Sequence, residues 1–230
     1  MNKLGWIMKK LVCALIAIYI LIVPMVVSAN NTPLDRKVIV IDAGHGGYDS
    51  GMTIGKVKEK DINLSIALKL QTLLVQDGAT VIMTRADDSG LAKNKYRDMN
   101  VRWAKANASE ADIFVSIHQN AHQSSNAKGA IVFFFSESDN GQKLAICVQN
   151  RIKEFVDNNN KFAPEANSKY FVLRKTKMPS VLVECGFLTN YAERQKLLTE
   201  EYQEKIARGI YLGIIDYFNQ TQNTDTNTPS

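Results

Sequence analysis

Apolar positions fall into two alternating rhythms from about residue 37 to residue 218. Short, nearly unbroken apolar runs at residues 37–41, 79–83, 112–118 (DIFVSIH) and 130–135 read as buried strands, with shorter ones at 170–173 and 181–184. Between them, residues 61–76 carry Ile62, Ile66, Leu70, Leu73 and Leu74 at helical spacing, with Asp61 as N-cap and Gly78 as stop. Residues 95–108 and 143–156 also read as helices, and 202–218 as an amphipathic terminal helix. The alternation predicts a single α/β domain over residues 36–219, a mostly parallel twisted sheet flanked by helices on both faces. Ligands in such sheets collect at the carboxyl ends of strands. There is no repeat at a period of 20–50 residues, hence no appended repeat array. Residues 220–230 (QTQNTDTNTPS) form a polar tail expected to be disordered.

The N-terminus breaks this rhythm. Lys3, Lys9 and Lys10 precede an apolar run from Leu11 to Val27, followed by the small residues Ser28 and Ala29. Residues 1–29 therefore read as a cleaved secretory signal or, alternatively, an uncleaved membrane anchor, and either places the body outside the cytoplasmic membrane. The chain has 230 residues and a net charge of +5, but without those three lysines 25 bases face 23 acids. A body so near neutrality, with no aromatic-interleaved basic stripe, speaks against nucleic acid as a partner. It leaves the N-terminal segment as the sole membrane contact. Cys147 and Cys185 are too few and too far apart for a disulfide framework or a CxxC zinc site, and read as small buried hydrophobes.

Polar chemistry concentrates where strands end. The first runs into Asp42-Ala43-Gly44-His45-Gly46-Gly47, the third into His118-Gln119-Asn120, and the late one into Glu184-Cys185-Gly186, while Glu59-Lys60-Asp61 precedes the first helix. Two imidazoles and a carboxylate suit Zn²⁺ and leave a fourth position for water, and a second carboxylate nearby can then move protons. Plainer explanations exist for each piece. The glycine-rich loop is also what a tight turn needs, though neither the dinucleotide fingerprint nor the phosphate-loop lysine is present. His118 fits a hydrogen-bonded core histidine, and Glu59, among Lys56, Lys58 and Lys60, fits a solvated charge run. Glu184 resists this treatment, because it directly follows Val181-Leu182-Val183 and an unpartnered buried carboxylate is costly. Alternation along its strand turns Cys185 away from any site that Glu184 faces. His122 sits past its strand in a polar loop and reads as a surface residue. On residues alone, a metal hydrolase stands level with the plainer readings.

The motifs IDAGHGG, EKDINLSIALKL, Thr84-Arg85, ASEADIFVSIHQNA and MPSVLVECGFLTN, in this order from about Val38 to Phe218, resemble the zinc-dependent N-acetylmuramoyl-L-alanine amidases of the type 3 family. The resemblance implies hydrolysis of the amide between the lactyl group of N-acetylmuramic acid and the L-alanine of the stem peptide in peptidoglycan. The partners it implies are therefore glycan strands bearing stem peptides. It also implies one Zn²⁺ held by His45, Glu59 and His118, with Glu184 as catalytic acid/base. The stretch Lys161 to Ala166 departs from the Arg-Gly-Val-Lys-like sequence of many relatives, leaving Arg174 and Lys175 as candidate groove cations. No long insertion precedes Glu184 to block the site, which is then open or governed by an accessory regulatory protein or by metal supply. A signal or anchor plus one compact catalytic domain resembles the sporulation members, which act on spore cortex and prepare muramic-δ-lactam for germination. The rival readings are a zinc peptidase acting on the stem peptide and a catalytically inactive wall-binding module.

Overall fold

The structure is a computed structural model and describes residues 32–226. The expected signal or anchor at residues 1–29 and the last residues of the expected tail, 227–230, lie outside the described residues. Among the described residues no helix is long and apolar enough to cross a membrane.

Six strands form the main sheet: β1 (Val38–Ala43), β4 (Thr80–Met83), β5 (Ile113–Asn120), β6 (Ile131–Phe134), β7 (Glu165–Ala166) and β8 (Ser180–Phe187), in the order β4-β1-β5-β8-β6-β7. β4, β1, β5 and β8 run parallel, while β6 lies antiparallel to β8. β2 (Thr53–Ile54) and β3 (Val57–Lys58) make a small separate hairpin. The central strands are buried on both faces, which is why they read as continuous apolar runs rather than alternating ones.

One face packs against α1 (Glu59–Gln76), α3 (Asp139–Phe155), α5 (Tyr191–Leu197) and α6 (Glu200–Thr226). There Ile39, Ile41, Ile113, Val115, Ile117 and Val183 meet Ile66, Leu70, Leu144, Leu197 and Ile210. Burying each such side chain contributes about 1.5–3 kcal/mol. The other face, under α2 (Lys95–Ala108) and α4 (Phe171–Lys175), has a smaller core of Val40, Phe114, Leu182, Ala106, Val172 and Leu173. The α/β architecture with helices on both faces is as expected, and Cys147 and Cys185 are free, buried members of the larger core.

Three expectations are corrected and one further helix is found. Asp61 does not cap α1, because the helix starts two residues earlier at Glu59 and its N-cap Lys58 makes no side-chain bond. The loop does the capping instead, with the Glu59 and Lys60 amides donating to the Met52 and Ser50 carbonyls at 2.9 and 3.2 Å. Residues 170–173 are not a strand. Asn167 Oδ1 accepts from the Lys169 and Tyr170 amides and turns the chain into the single turn of α4, which lets the consecutive Val172 and Leu173 both reach the core. The terminal helix does not stop at Phe218 but continues to Thr226, so much of the expected tail is helical. The helix α5 went unread, although Asn190 caps it by accepting from the Glu193 amide at 3.0 Å and the Asn-x-x-Glu spacing is a start signal.

Candidate active site

The smaller-core face turns polar toward the carboxyl ends of its strands. Register pairs Asp42 with Ser116 across β1 and β5, and His118 with Glu184 across β5 and β8, so these side chains share one face. A register shift between His118 and Asn120 interrupts the β5–β8 ladder just beyond the site, and pairing resumes with Asn120 opposite Phe187. A cavity of about 300 Å³ opens there, lined by residues including His45, Glu59, His118, Tyr170 and Glu184.

His45 comes from the loop after β1 with a left-handed backbone (φ 60°), a conformation that costs about 1–3 kcal/mol in a non-glycine residue and persists where the surroundings enforce it. Two arginines provide the enforcement. Arg102, from α2, donates to the carbonyls of Ala43 and His45 at 2.8 and 2.7 Å. Arg85 donates to those of Ala43, Gly44 and Lys60 at 2.9, 3.0 and 2.8 Å. Arg102 is itself anchored by buried Asp42 and Asp98 at 2.7 and 2.6 Å, and Asp42 also accepts from Thr84 and Ser116.

Glu59 begins α1, where the unsatisfied amides of the first turn favour an anion. It is buried rather than part of a solvated run, and so is Lys60, which reaches Asp88 and the Gly47 carbonyl. Glu59 Oε1 lies 3.2 Å from His45 Nε2 and 3.0 Å from His118 Nδ1, and the two rings meet edge to face at 4.9 Å. The same carboxylate accepts from the amides of Gln119 and Met52 at 3.1 and 2.9 Å. Burial opposes its charge, but the bonds from His118 and His45 prevail and hold its carboxyl well below the usual range. The approach is close enough that a side chain on Gly44 would collide with the His118 ring, and one on Gly51 (φ +64°) with Glu59 and His45.

Among the described residues His45, Glu59 and His118 are the group able to hold a metal, their donor atoms all within 4.8 Å of one another. The arrangement fits that role. Two imidazole nitrogens face a single carboxylate oxygen, so a cation or a proton on each nitrogen must lie between them. In addition, His45 Nδ1 donates to Asp49 Oδ2 at 2.9 Å, which turns Nε2 toward Glu59. His122 stands apart on the exposed surface.

Glu184 is built differently. It is 7% exposed and its Oε2 has no hydrogen-bond partner. Burial, reinforced by the Glu59 charge, pushes its carboxyl up to about 7 against the pull of His118, His45 and a hydrogen bond from the Tyr170 hydroxyl. A carboxyl poised near neutrality beside a three-ligand set is equipped to take up and release a proton. Cys185 lies on the opposite side of the strand, fully buried. Of the residues around the site, Arg102, Asp42, Asp49 and Tyr170 were not singled out from sequence. Asp49 acts on His45 four residues away, but the other roles depend on contacts such as Asp42 to Arg102, 60 residues apart, for which no local pattern exists.

The chain matches the protein family described as N-acetylmuramoyl-L-alanine amidase over residues 39–216. It is 37% identical to the germination-specific N-acetylmuramoyl-L-alanine amidase of Bacillus subtilis (strain 168), covering 83% of each chain. Among solved structures it is similar to the CwlD amidase from Clostridioides difficile, solved in complex with the GerS lipoprotein, with a TM-score of 0.77, 39% identity, and coverage of 80% of this chain and 100% of that one. It is also similar to the catalytic domain of CwlV, an N-acetylmuramoyl-L-alanine amidase from Bacillus (Paenibacillus) polymyxa var. colistinus, with a TM-score of 0.69, 33% identity, and coverage of 80% and 98%.

Proposed function

The chain belongs to the N-acetylmuramoyl-L-alanine amidase family, and from that premise we propose that it is a zinc amidase of peptidoglycan in which His45, Glu59 and His118 hold the ion and Glu184 is the catalytic acid/base. The observation that carries this reading is the buried, unpartnered Glu184 oxygen sharing a cavity with the three donors. When bound, zinc supplies Lewis acidity, polarising the lactyl carbonyl and acidifying the attacking water. Glu184 takes the proton from that water as the carbonyl is attacked, and delivers it to the alanine nitrogen as the amide breaks, which leaves a free amine on the stem peptide. Tyr170 shares the cavity with Glu184, where its hydroxyl favours the charged carboxylate, while Oε2 stays available to the proton. Asp49 fixes the His45 ring, and Arg102 and Arg85 fix the loop that carries it.

Similarity to the germination-specific amidase and to CwlD supports a narrower role outside the cytoplasmic membrane: processing of spore cortex toward muramic-δ-lactam, with residues 1–29 as signal or anchor and residues 36–219 as the catalytic domain. The CwlD–GerS complex supports an accessory protein as regulator.

The test is mass analysis of peptidoglycan treated with the full chain, with chelator and then with zinc restored. Free glycan and intact stem peptides, lost on chelation and regained with zinc, are expected. Shortened stem peptides would instead indicate a peptidase, and unaltered peptidoglycan under every condition an inactive wall-binding module.

A further inference from the structure

One wall of the cavity mouth combines aromatic surface with unpaired positive charge. Tyr96 at the start of α2 is 65% exposed, and its ring lies 6.3 Å from that of Phe171 on α4. Arg174 and Lys175 stand over the Phe171 ring at 5.8 and 5.9 Å. Phe171 and Lys95 line the cavity itself, while Arg174 and Lys175 are exposed beyond it. Among the described residues none of Lys95, Arg174 and Lys175 enters an ion pair. The acids lining the cavity nearby are already engaged, Asp98 by Arg102 and Asp49 by His45, and Glu165 on β7 acts on Tyr170. The wall is also held firmly, because Asn107 of α2 donates to the Lys175 carbonyl and accepts from the Lys177 amide, each at 2.9 Å. A rigid surface of unpaired cations beside aromatic rings suits an anionic peptide with apolar stretches.

The position of this wall decides which part of the substrate meets it. Tyr170, the residue before α4, lines the cavity together with Glu184, so the wall continues outward from the group that protonates the departing amine. We propose that Lys95, Tyr96, Phe171, Arg174 and Lys175 form a subsite for the acidic stem peptide on the leaving side of the scissile amide. This rests on the assignment of Glu184 above. The departing alanine packs against the rings. The second stem residue, a glutamate joined through its side chain, presents its free α-carboxylate about 7 Å farther on, within reach of the cations.

The test uses the zinc-loaded full chain. One arm measures binding of the free stem tetrapeptide, and the other measures kcat and KM on muropeptides whose second-residue carboxylate is free or amidated. Arg174→Ala/Lys175→Ala is expected to weaken tetrapeptide binding about tenfold, to raise KM on the free-carboxylate substrate by a similar factor with kcat nearly unchanged, and to abolish preference over the amidated form. Arg174→Lys/Lys175→Arg is expected to restore most of the binding. Unchanged affinity and KM in the alanine variant would overturn the proposal. So would equal wild-type binding of free and amidated peptides, or a Tyr96→Ala protein that loses affinity for peptide-free glycan while keeping it for the tetrapeptide. The tetrapeptide measurement requires no turnover, so its failure is distinct from failure of the amidase chemistry.

Discussion

The two sides of the site are built on opposite plans. On the β1–α1 side every functional group is over-determined: Glu59 accepts from two imidazoles and two amides, Asp49 holds His45, and two buried arginines clamp the carbonyls of the connecting loop. On the β8–α4 side Glu184 has the Tyr170 hydroxyl as a favourable polar neighbour and one oxygen with no hydrogen-bond partner. Burial acts on both carboxylates, yet one stays charged far below its ordinary range and the other is pushed up to about 7. The difference lies in partners, not in depth. A group that must hold a cation in place benefits from saturation, whereas a group that must exchange a proton needs an unsaturated atom and a pKa near working pH.

The sharpest way to test this contrast is to remove the proposed proton carrier without touching its volume. Glu184→Gln is expected to lower kcat about 10³-fold while zinc content, measured by mass spectrometry, stays at one per chain. Glu59→Ala is expected to lose the metal as well as the activity. Near-normal turnover in the glutamine variant would erase the distinction between the two sides. A comparable effect on stability is expected from the clamp. Arg102→Ala leaves Asp42 and Asp98 buried without their cation and is expected to destabilise the protein by about 3–5 kcal/mol in denaturant titration. A change below about 1 kcal/mol would show that the loop does not depend on it.

The contrast also appears in the pH dependence of the metal-free protein, where the two carboxylates act in opposite directions. Glu59 is depressed, so its contribution to stability is present above the unfolded value of 4.5 and is lost as pH falls. Glu184 is raised, so the folded state holds its proton more tightly than the unfolded chain does. Its favourable contribution is complete below pH 4.5 and disappears as pH rises through about 7, a change of about 3 kcal/mol. Thermal melts of wild type and Glu184→Gln, stripped of metal, should therefore diverge between pH 4.5 and 7, with the variant gaining relative to wild type. Parallel curves across that window would mean that Glu184 is solvated like an ordinary carboxylate.

What the sequence revealed follows the same division. The strands and long helices were legible because burial on two faces gives apolar runs and burial on one stripe gives helical spacing. His45, Glu59, His118 and Glu184 stood out because they sit where those patterns end, and Glu184 because a carboxylate directly after Val181-Leu182-Val183 has no ordinary explanation. The start of α1 was misread since its cap is a loop backbone, and the turn at α4 since Val172 and Leu173 have strand-like chemistry that Asn167 overrides. The clamp stayed hidden because Arg102 meets its partners only after the sheet has formed. An arginine in the helical segment 95–108 looks, from sequence, like any solvated charge.

The finest probe of the saturated side is Asp49, which the sequence did not single out. Its Oδ1 accepts from the Gly51 amide at 3.1 Å and its Oδ2 from His45 Nδ1, so one side chain both shapes the loop and sets the tautomer of the ring. Asp49→Asn keeps the size and one acceptor. The amide oxygen can satisfy either the Gly51 amide or the imidazole, and the amide nitrogen then faces a donor at the other. Loss of a carboxylate behind a metal-binding histidine typically weakens affinity 10- to 100-fold, and a shift toward the low end is expected here because Glu59 and Arg102 also restrain the His45 segment. Competition with a chromogenic chelator measures the zinc affinity, and kcat at saturating zinc should stay within a few-fold of wild type because Glu184 is untouched. If affinity is unchanged but kcat collapses, Asp49 serves proton transfer rather than restraint, and the assignment of rigidity to one side and proton exchange to the other fails at its most direct point.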